Sequence, residues 1–353
     1  MASVHLLTSA PAGSEHAEIA FHDLGQMQAS ARTARCDAHS AVADPADADL
    51  ILFVETHSAA GHYFQRVRSH PVFREFSSKS YLFSSADKVI PFLPGVFASI
   101  EARWYRSAWT RSGHYVDVRE REELRYEDAR SPSHLFSFVG ATANHPLRQR
   151  IMSLHHPGAV LIDATAESAA VERRGRSPEL QAEWRERFSN GIHDCAFVLC
   201  PRGGGTSSRR IFEAMMLGRV PVIISDGWVP PRGPDWPSFS LRVREDRVDA
   251  IPAMLETRAG TATAMGARAR SEWLDWFSEA ASFPRTVDWC LDLARFASQR
   301  TGLRRYEPHL QMLRPYHAAR AAAKRAGHGE STGAPYWDRP LHRLRHSLKG
   351  VRR

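Results

Sequence analysis

The stretch Cys195-Ala196-Phe197-Val198-Leu199-Cys200-Pro201-Arg202-Gly203-Gly204-Gly205-Thr206-Ser207-Ser208-Arg209-Arg210-Ile211-Phe212-Glu213-Ala214-Met215, followed by Gly218-Arg219-Val220-Pro221-Val222-Ile223-Ile224-Ser225-Asp226, decides the fold. Its first six residues are a short apolar run closed by a proline and three glycines, the pattern of a buried strand stopped by a turn. Three adjacent glycines let backbone approach a ligand that side chains would hold away. Thr206, Ser207 or Ser208 caps a following helix, whose first turn leaves backbone N–H groups for an anion. Gly218 ends the helix and Val220 to Ile224 form a second buried strand. Strand, glycine turn, helix, strand is the arrangement that holds a diphosphate.

Arg210 and Glu213 are three apart on that helix and share a face. The guanidinium adds charge to an oxyanion site, while the carboxylate one turn on accepts hydrogen bonds from the two hydroxyls of a ribose. The alternative is an internal i, i+3 ion pair beside a loop that merely turns the chain. Other phosphate motifs fit worse. There is no G-x-x-x-x-G-K-[ST], and the glycines are consecutive rather than spaced as G-x-G-x-x-G, so ATP hydrolysis and nicotinamide cofactors lose support.

Pro201-Arg202-Gly203, Ser208-x-Arg210-x-x-Glu213-Ala214-Met215, Gly218-Arg219-x-Pro221-Val222-Ile223, Asp226 and Trp228-Val229-Pro230 together resemble the exostosin-type glycosyltransferases of family GT47. The similarity runs on through Trp236-Pro237-Ser238-Phe239-Ser240-Leu241-Arg242-Val243, and more weakly upstream through Phe136-Ser137-Phe138-Val139-Gly140. One departure is Gly204, where many members carry tryptophan, a change in a pocket wall. The resemblance implies an α/β protein of GT-B architecture: two Rossmann-like domains with parallel sheets facing a central cleft, the nucleotide sugar held by the C-terminal one. It further implies an inverting, metal-independent transferase with no cofactor beyond its donor substrate. Uridine is the commoner nucleotide in the family, so the expected donor is a UDP-linked sugar.

The remaining chain can be read independently. Its 353 residues suffice for two domains and large cores. Strand candidates recur at Val4 to Leu7, Leu50 to Val54, Tyr81 to Ser84, Leu135 to Val139, Val160 to Asp163, Phe197 to Cys200, Val220 to Ile224 and Phe239 to Val243. Stretches long enough for helices lie between most of them, including Pro146 to His155, Glu179 to His193 and Ser208 to Leu217, and such alternation predicts parallel sheets. The charged, turn-rich segment Arg119 to His134 predicts the boundary between an acceptor-side domain over 1–130 and a donor domain over 131–300, followed by a basic tail over 301–353.

Parallel sheets bind ligands outside the carboxyl ends of their strands. Gly140, the loop Pro201 to Thr206 and the pair Ser225-Asp226 all follow strands directly, so three loops converge on one edge. Arg148 and Arg150, on the helix after Gly140, come within reach of the same diphosphate; the alternative for each is a solvated helix face. The donor set so assembled is Gly140, Arg148, Arg202, Gly203, Gly204, Gly205, Thr206, Ser207, Ser208, Arg210, Glu213 and Asp226.

An inverting transfer also needs a base for the acceptor hydroxyl. The candidates are Glu55 and His57, just past Leu50 to Val54, and Asp87, just past Tyr81 to Ser84. Asp87 stands roughly where many family members have an Asp after a His, although Ala86 precedes it here. Post-strand carboxylates also serve as helix caps, and of these the two carboxylates are the catalytic expectation. Asp47-Ala48-Asp49 precedes its strand instead of following it and reads as a turn. No histidine pair has ligand spacing, and no metal is expected.

Cys36, Cys195, Cys200 and Cys290 lack C-x-x-C spacing and read as free thiols in a reducing compartment. Met1 to Glu18 shows neither a basic n-region nor a long apolar run, so the expected location is cytoplasmic, with the enzyme serving surface polysaccharide synthesis. The formal net charge of +8 belongs to the tail, the remainder being close to neutral. Within 336–353, Trp337, Leu341, Leu344, Leu348 and Val351 repeat at helical period among arginines and lysines, the pattern of a helix lying on an anionic membrane at its inner face. A helix packed on the protein, or a disordered tail, is the alternative, and nucleic acid is not an expected partner.

The function these features predict is transfer of a sugar from a nucleotide-diphosphate sugar to a glycan or lipid-linked acceptor. Two alternatives stand beside it: a catalytically silent sugar-binding subunit of a polysaccharide assembly, and a nucleotide-sugar epimerase or hydrolase of the same fold.

Overall fold

The structure is a computed structural model that describes residues 1–14, 17–34, 39–56, 64–87, 89–122, 124–128, 131–167 and 188–296. His57, Cys36, most of the expected helix over 179–193 and the tail helix over 336–353 lie outside the described residues. The eleven described strands form two sheets, parallel throughout.

The first sheet has the order β2-β1-β3-β4-β5-β6. Its strands are β1 (Ala2–Leu7), β2 (His39–Ala41), β3 (Leu50–Glu55), β4 (Ser80–Ser84), β5 (Gly95–Phe97) and β6 (Thr110–Ser112). β3 and β4 are buried along their whole length, as central strands covered on both faces must be. The second sheet has the order β11-β10-β9-β7-β8, with β7 (His134–Gly140), β8 (Ala159–Asp163), β9 (Cys195–Pro201), β10 (Val220–Ile224) and β11 (Leu241–Val243). These two parallel α/β sheets give the GT-B architecture that the resemblance implied. Three short strands, β2, β5 and β6, extend the first sheet beyond the three segments anticipated there. The last expected strand is shorter than anticipated, because Trp236–Phe239 is a helical turn that buries Trp236 and Phe239.

Five helices matter below: α1 (Ala17–Thr33), α2 (Pro146–Met152), α3 (Arg209–Met216), α4 (Ala262–Trp276) and α5 (Glu279–Ala294). α3 buries Ile211 to Met216 against β9 and β10, and α4 packs on α3. α5 runs back to the first sheet. There Ser30 on α1 accepts the Phe283 N–H at 2.8 Å, and Arg111 on β6 donates twice to Asp292. Residues 1–299 make one compact unit, and one apolar cluster runs through it from Val54 and Phe83 to Phe212, Trp273 and Trp289. Cys195, Cys200 and Cys290 are buried free thiols. Among the described residues no helix is long and apolar enough to cross a membrane.

Candidate functional site

The second sheet reverses its winding between β7 and β9. The chain leaves β7 for β8 on one side, then returns to β9 on the other and proceeds outward through β10 and β11. Diverging connections open a crevice at such a switch point, outside the carboxyl ends of the two strands. Here that crevice is a cavity of about 350 Å³. The end of β7 and the loop after it supply Gly140, Ala141 and Asn144; the end of β9 and the loop after it supply Pro201, Gly203 and Gly204; α3 and its entry supply Ser207, Ser208, Arg209, Arg210 and Glu213. Phe138, Val139, Arg148 and Phe188 complete that side, while Asp87 and Tyr115 enter from the first sheet.

Arg148 is aimed by α2, which begins at Pro146 after His145 accepts the Leu147 N–H at 3.2 Å. Its Nε donates to the Arg202 carbonyl and its Nη1 to the Ala141 carbonyl, both at 3.0 Å, so the guanidinium bridges the ends of both strands. Burial, with the nearby Arg210 adding to it, pulls its pKa down to about 10 against the raising effect of Asp87 and Tyr115. It remains a cation at neutral pH, and its hydrogen-bond partners are neutral carbonyls. Arg210 donates through Nη2 to the Val139 carbonyl at 2.7 Å and pairs with Glu213 at 3.0 Å. Its guanidinium lies 3.7 Å from the centroid of the Phe188 ring. Burial holds its pKa below the usual arginine value, with Glu213 opposing. Two guanidiniums, a glycine loop and a helix start thus converge on one cavity, an arrangement whose charge and dipole suit an anion.

The opposite wall is built from carboxyl ends of the first sheet. Asp87 follows β4 and is exposed, and Tyr115, 2% exposed, donates its hydroxyl proton to Asp87 Oδ1 at 3.0 Å. Burial and the Asp87 charge raise the Tyr115 pKa well above the usual phenol value, so this proton stays on. Ser99, just past β5, hydrogen-bonds Tyr115 and accepts the Ser207 N–H at 3.0 Å. Arg209 stacks over the Tyr115 ring at 4.6 Å and ion-pairs with Asp117. A hydrogen-bonded chain therefore runs from the glycine loop, through Ser99 and Tyr115, to the Asp87 carboxylate.

Of the donor set read from the sequence, Gly140, Arg148, Gly203, Gly204, Ser207, Ser208, Arg210 and Glu213 line the cavity, together with Asp87. Ser208 occupies the N-cap position of α3, but its side chain makes no cap hydrogen bond. Arg202, Gly205, Thr206 and Asp226 do not line it. Arg202 turns away between Glu101 and Glu245, at 3.9 and 3.8 Å. Gly205 is wedged against the first sheet, where a Cβ would stand 2.2 Å from both the Asp87 carbonyl oxygen and Ser99 Oγ. Thr206 donates to the Ile100 carbonyl at 3.3 Å, and Asp226 exchanges hydrogen bonds with Glu245. Arg150 points outward to Asp249 at 3.1 Å.

Glu55 also stands apart from the cavity. It closes β3 fully buried, accepting the Ser9 N–H and, at 3.2 Å, the Thr8 hydroxyl. Burial pushes its carboxyl up to about 7, against the lowering effect of Ser9 and Thr8. Tyr115, Ser99, Arg209 and Phe188 were not anticipated. Arg209 is adjacent to Arg210 and was legible as a second charge at the helix start. Ser99 and Tyr115 follow strands of only three residues, too short to show a strand period in the sequence.

Residues 112–257 match the family described as the Exostosin GT47 domain. A probable glucuronoxylan glucuronosyltransferase, IRX7, of Arabidopsis thaliana is 42% identical over 82 residues, 22% of this chain and 18% of that protein. An exostosin-1 homolog of Caenorhabditis elegans is 36% identical over 73 residues, 20% of this chain and 19% of its own length. The chain thus spans less than a fifth of these curated relatives. Among solved structures, Anabaena Alr3699/HepE in complex with UDP-glucose is 12% identical with a TM-score of 0.41, over 85% of this chain and 100% of that one. The glycine loop, α3 with Arg210 and Glu213, and the Trp228 to Val243 segment all fall within the range 112–257 that matches the Exostosin GT47 domain.

Proposed function

We propose that the chain is an inverting glycosyltransferase that moves a sugar from a UDP-linked donor to a hydroxyl of a glycan or lipid-linked acceptor in surface polysaccharide synthesis. Residues 131–300 hold the donor and residues 1–130 face the acceptor. The observation that carries this reading is the single cavity in which Arg148, Arg210 and Glu213 of one sheet meet Asp87 of the other. Arg148, Arg210 and the start of α3 stabilise the leaving diphosphate without a metal, and Glu213 accepts hydrogen bonds from the ribose. Asp87 takes the proton of the attacking acceptor hydroxyl as that oxygen bonds to the anomeric carbon and the diphosphate departs. Asp87 is favoured over Glu55 as base because Glu55 is buried behind the β1–α1 connection, with its oxygens already accepting from Ser9 and Thr8. The reaction runs on the inner face of the membrane.

Calorimetry with UDP, GDP and UDP-sugars tests the donor site. UDP binds, and Glu213→Ala weakens it by about tenfold or more, the loss of a charge-assisted contact. Absence of binding by any nucleotide refutes the donor site. Release of UDP that depends on added oligosaccharide identifies transfer, whereas release independent of acceptor identifies hydrolysis.

A further inference from the structure

The charge balance of the cavity bears on which sugar it takes. Arg210 is neutralised by Glu213 at 3.0 Å, and Arg209 is ion-paired with Asp117. Arg148 is the remaining cation among the described cavity-lining residues, and its partners are the carbonyls of Ala141, Arg202 and Pro201. It lies at the glycine loop, where a Cβ on Gly203 would come within 2.8 Å of its Nη2, and so faces the diphosphate. Across the cavity, on the first-sheet wall, stands the exposed Asp87 carboxylate, whose described partner is the neutral Tyr115 hydroxyl. A sugar leaving the diphosphate toward the acceptor side therefore meets a wall whose described lining residues are the Asp87 carboxylate and the Tyr115 phenol, with Arg148 on the opposite, phosphate-facing side.

We propose that this site takes a donor whose sugar is uncharged and discriminates against a uronic acid, with Asp87 as the discriminating residue. The proposal rests on the donor-site reading above. Sugar hydroxyls donate to the Asp87 carboxylate and gain charge-assisted hydrogen bonds. A uronate instead brings a third negative charge, after the two of the diphosphate, against a carboxylate whose described partner is a neutral hydroxyl, in a partly desolvated crevice. Such repulsion is a means of rejecting a near-isosteric competitor. This separates the chain from the plant relative whose name specifies glucuronosyl transfer.

The test is calorimetry of the full chain at low salt with UDP, UDP-glucose and UDP-glucuronic acid. UDP-glucuronic acid is expected to bind at least about tenfold more weakly than UDP-glucose, and Asp87→Asn to bring the two within about threefold, since Asn removes the charge and keeps the shape. Asp87 is exposed, so the substitution does not threaten folding, and an unchanged UDP affinity verifies an intact phosphate site. Equal or tighter binding of UDP-glucuronic acid overturns the proposal while leaving the donor site standing, and so does a ratio that survives Asp87→Asn. Failure of UDP itself to bind removes both.

Discussion

Tyr115 shows how a buried side chain governs an exposed one. Its ring is held between Phe212 at 6.2 Å, edge-on, and the Arg209 guanidinium, so its hydroxyl can point only where the packing aims it. That direction is Asp87 Oδ1. An exposed aspartate left alone samples several rotamers, and each one excluded by a hydrogen bond is disorder that catalysis need not overcome. Tyr115→Phe keeps the ring and removes the donor. The expected result is a fall in turnover of about tenfold with UDP affinity unchanged, because the loss falls on the carboxylate proposed as base and not on the proposed phosphate site. Stability drops by about 1 kcal/mol as the buried Ser99 hydroxyl loses a partner. UDP release and calorimetric binding on the same preparation separate the two effects, and parallel loss of both sinks the assignment.

At the scale of the element, the β9–α3 turn presents two faces. Gly203 and Gly204 face the cavity, whereas Gly205 is pressed against the loop after β4 and the end of β5. The third glycine therefore serves a contact between sheets, not a contact with ligand. Gly205→Ala drives a Cβ into backbone at 2.2 Å, so the turn or the Asp87 loop must shift. We expect a loss of about 1–3 kcal/mol in stability and of at least about tenfold in UDP affinity, the strain of overpacking transmitted to the adjacent N–H groups. Gly260→Ala, which meets nothing within 4 Å, is the control. Denaturant midpoints and calorimetry of the two variants decide it, and equal behaviour refutes the wedge. This element also marks what was legible in the sequence. Long apolar strands bounded by glycine and proline, such as β9 and β10, announced themselves, and with them the second-sheet wall of the cavity. β6 reads Thr-Arg-Ser because its buried arginine is satisfied by Asp292, 181 residues away, a partner that no local pattern discloses. Tyr115 follows that strand and Ser99 follows β5, equally short at three residues, so the second wall was hidden with them.

At the scale of the whole molecule one apolar cluster spans both sheets, and buried titratable groups set how its stability varies with pH. His114 lies at the junction, its ring within 5.4–6.3 Å of Phe83, Phe212, Phe277 and Trp289 and its Nε2 2.7 Å from Ser282 Oγ on α5. Burial, with Arg119 adding to it, lowers its pKa to about 3 from 6.5. Its contribution is complete above the unfolded value and is lost as pH falls toward 3. Glu55 has the opposite sign. Its folded pKa of about 7 exceeds the ordinary 4.5, so its contribution is complete below about 4.5 and is lost as pH rises through 7. Asp23, pushed up to about 6 by burial, adds to the same trend. Glu55→Gln removes the ionisation while leaving an oxygen to accept from Ser9. Relative to the parent, the variant is therefore expected to gain about 3 kcal/mol between pH 4.5 and pH 8, following the shift of the buried carboxyl. Urea unfolding of both proteins at pH 4.5, 6 and 8 measures this. A difference that does not move with pH places the Glu55 carboxyl at its ordinary value and removes it from the account of stability.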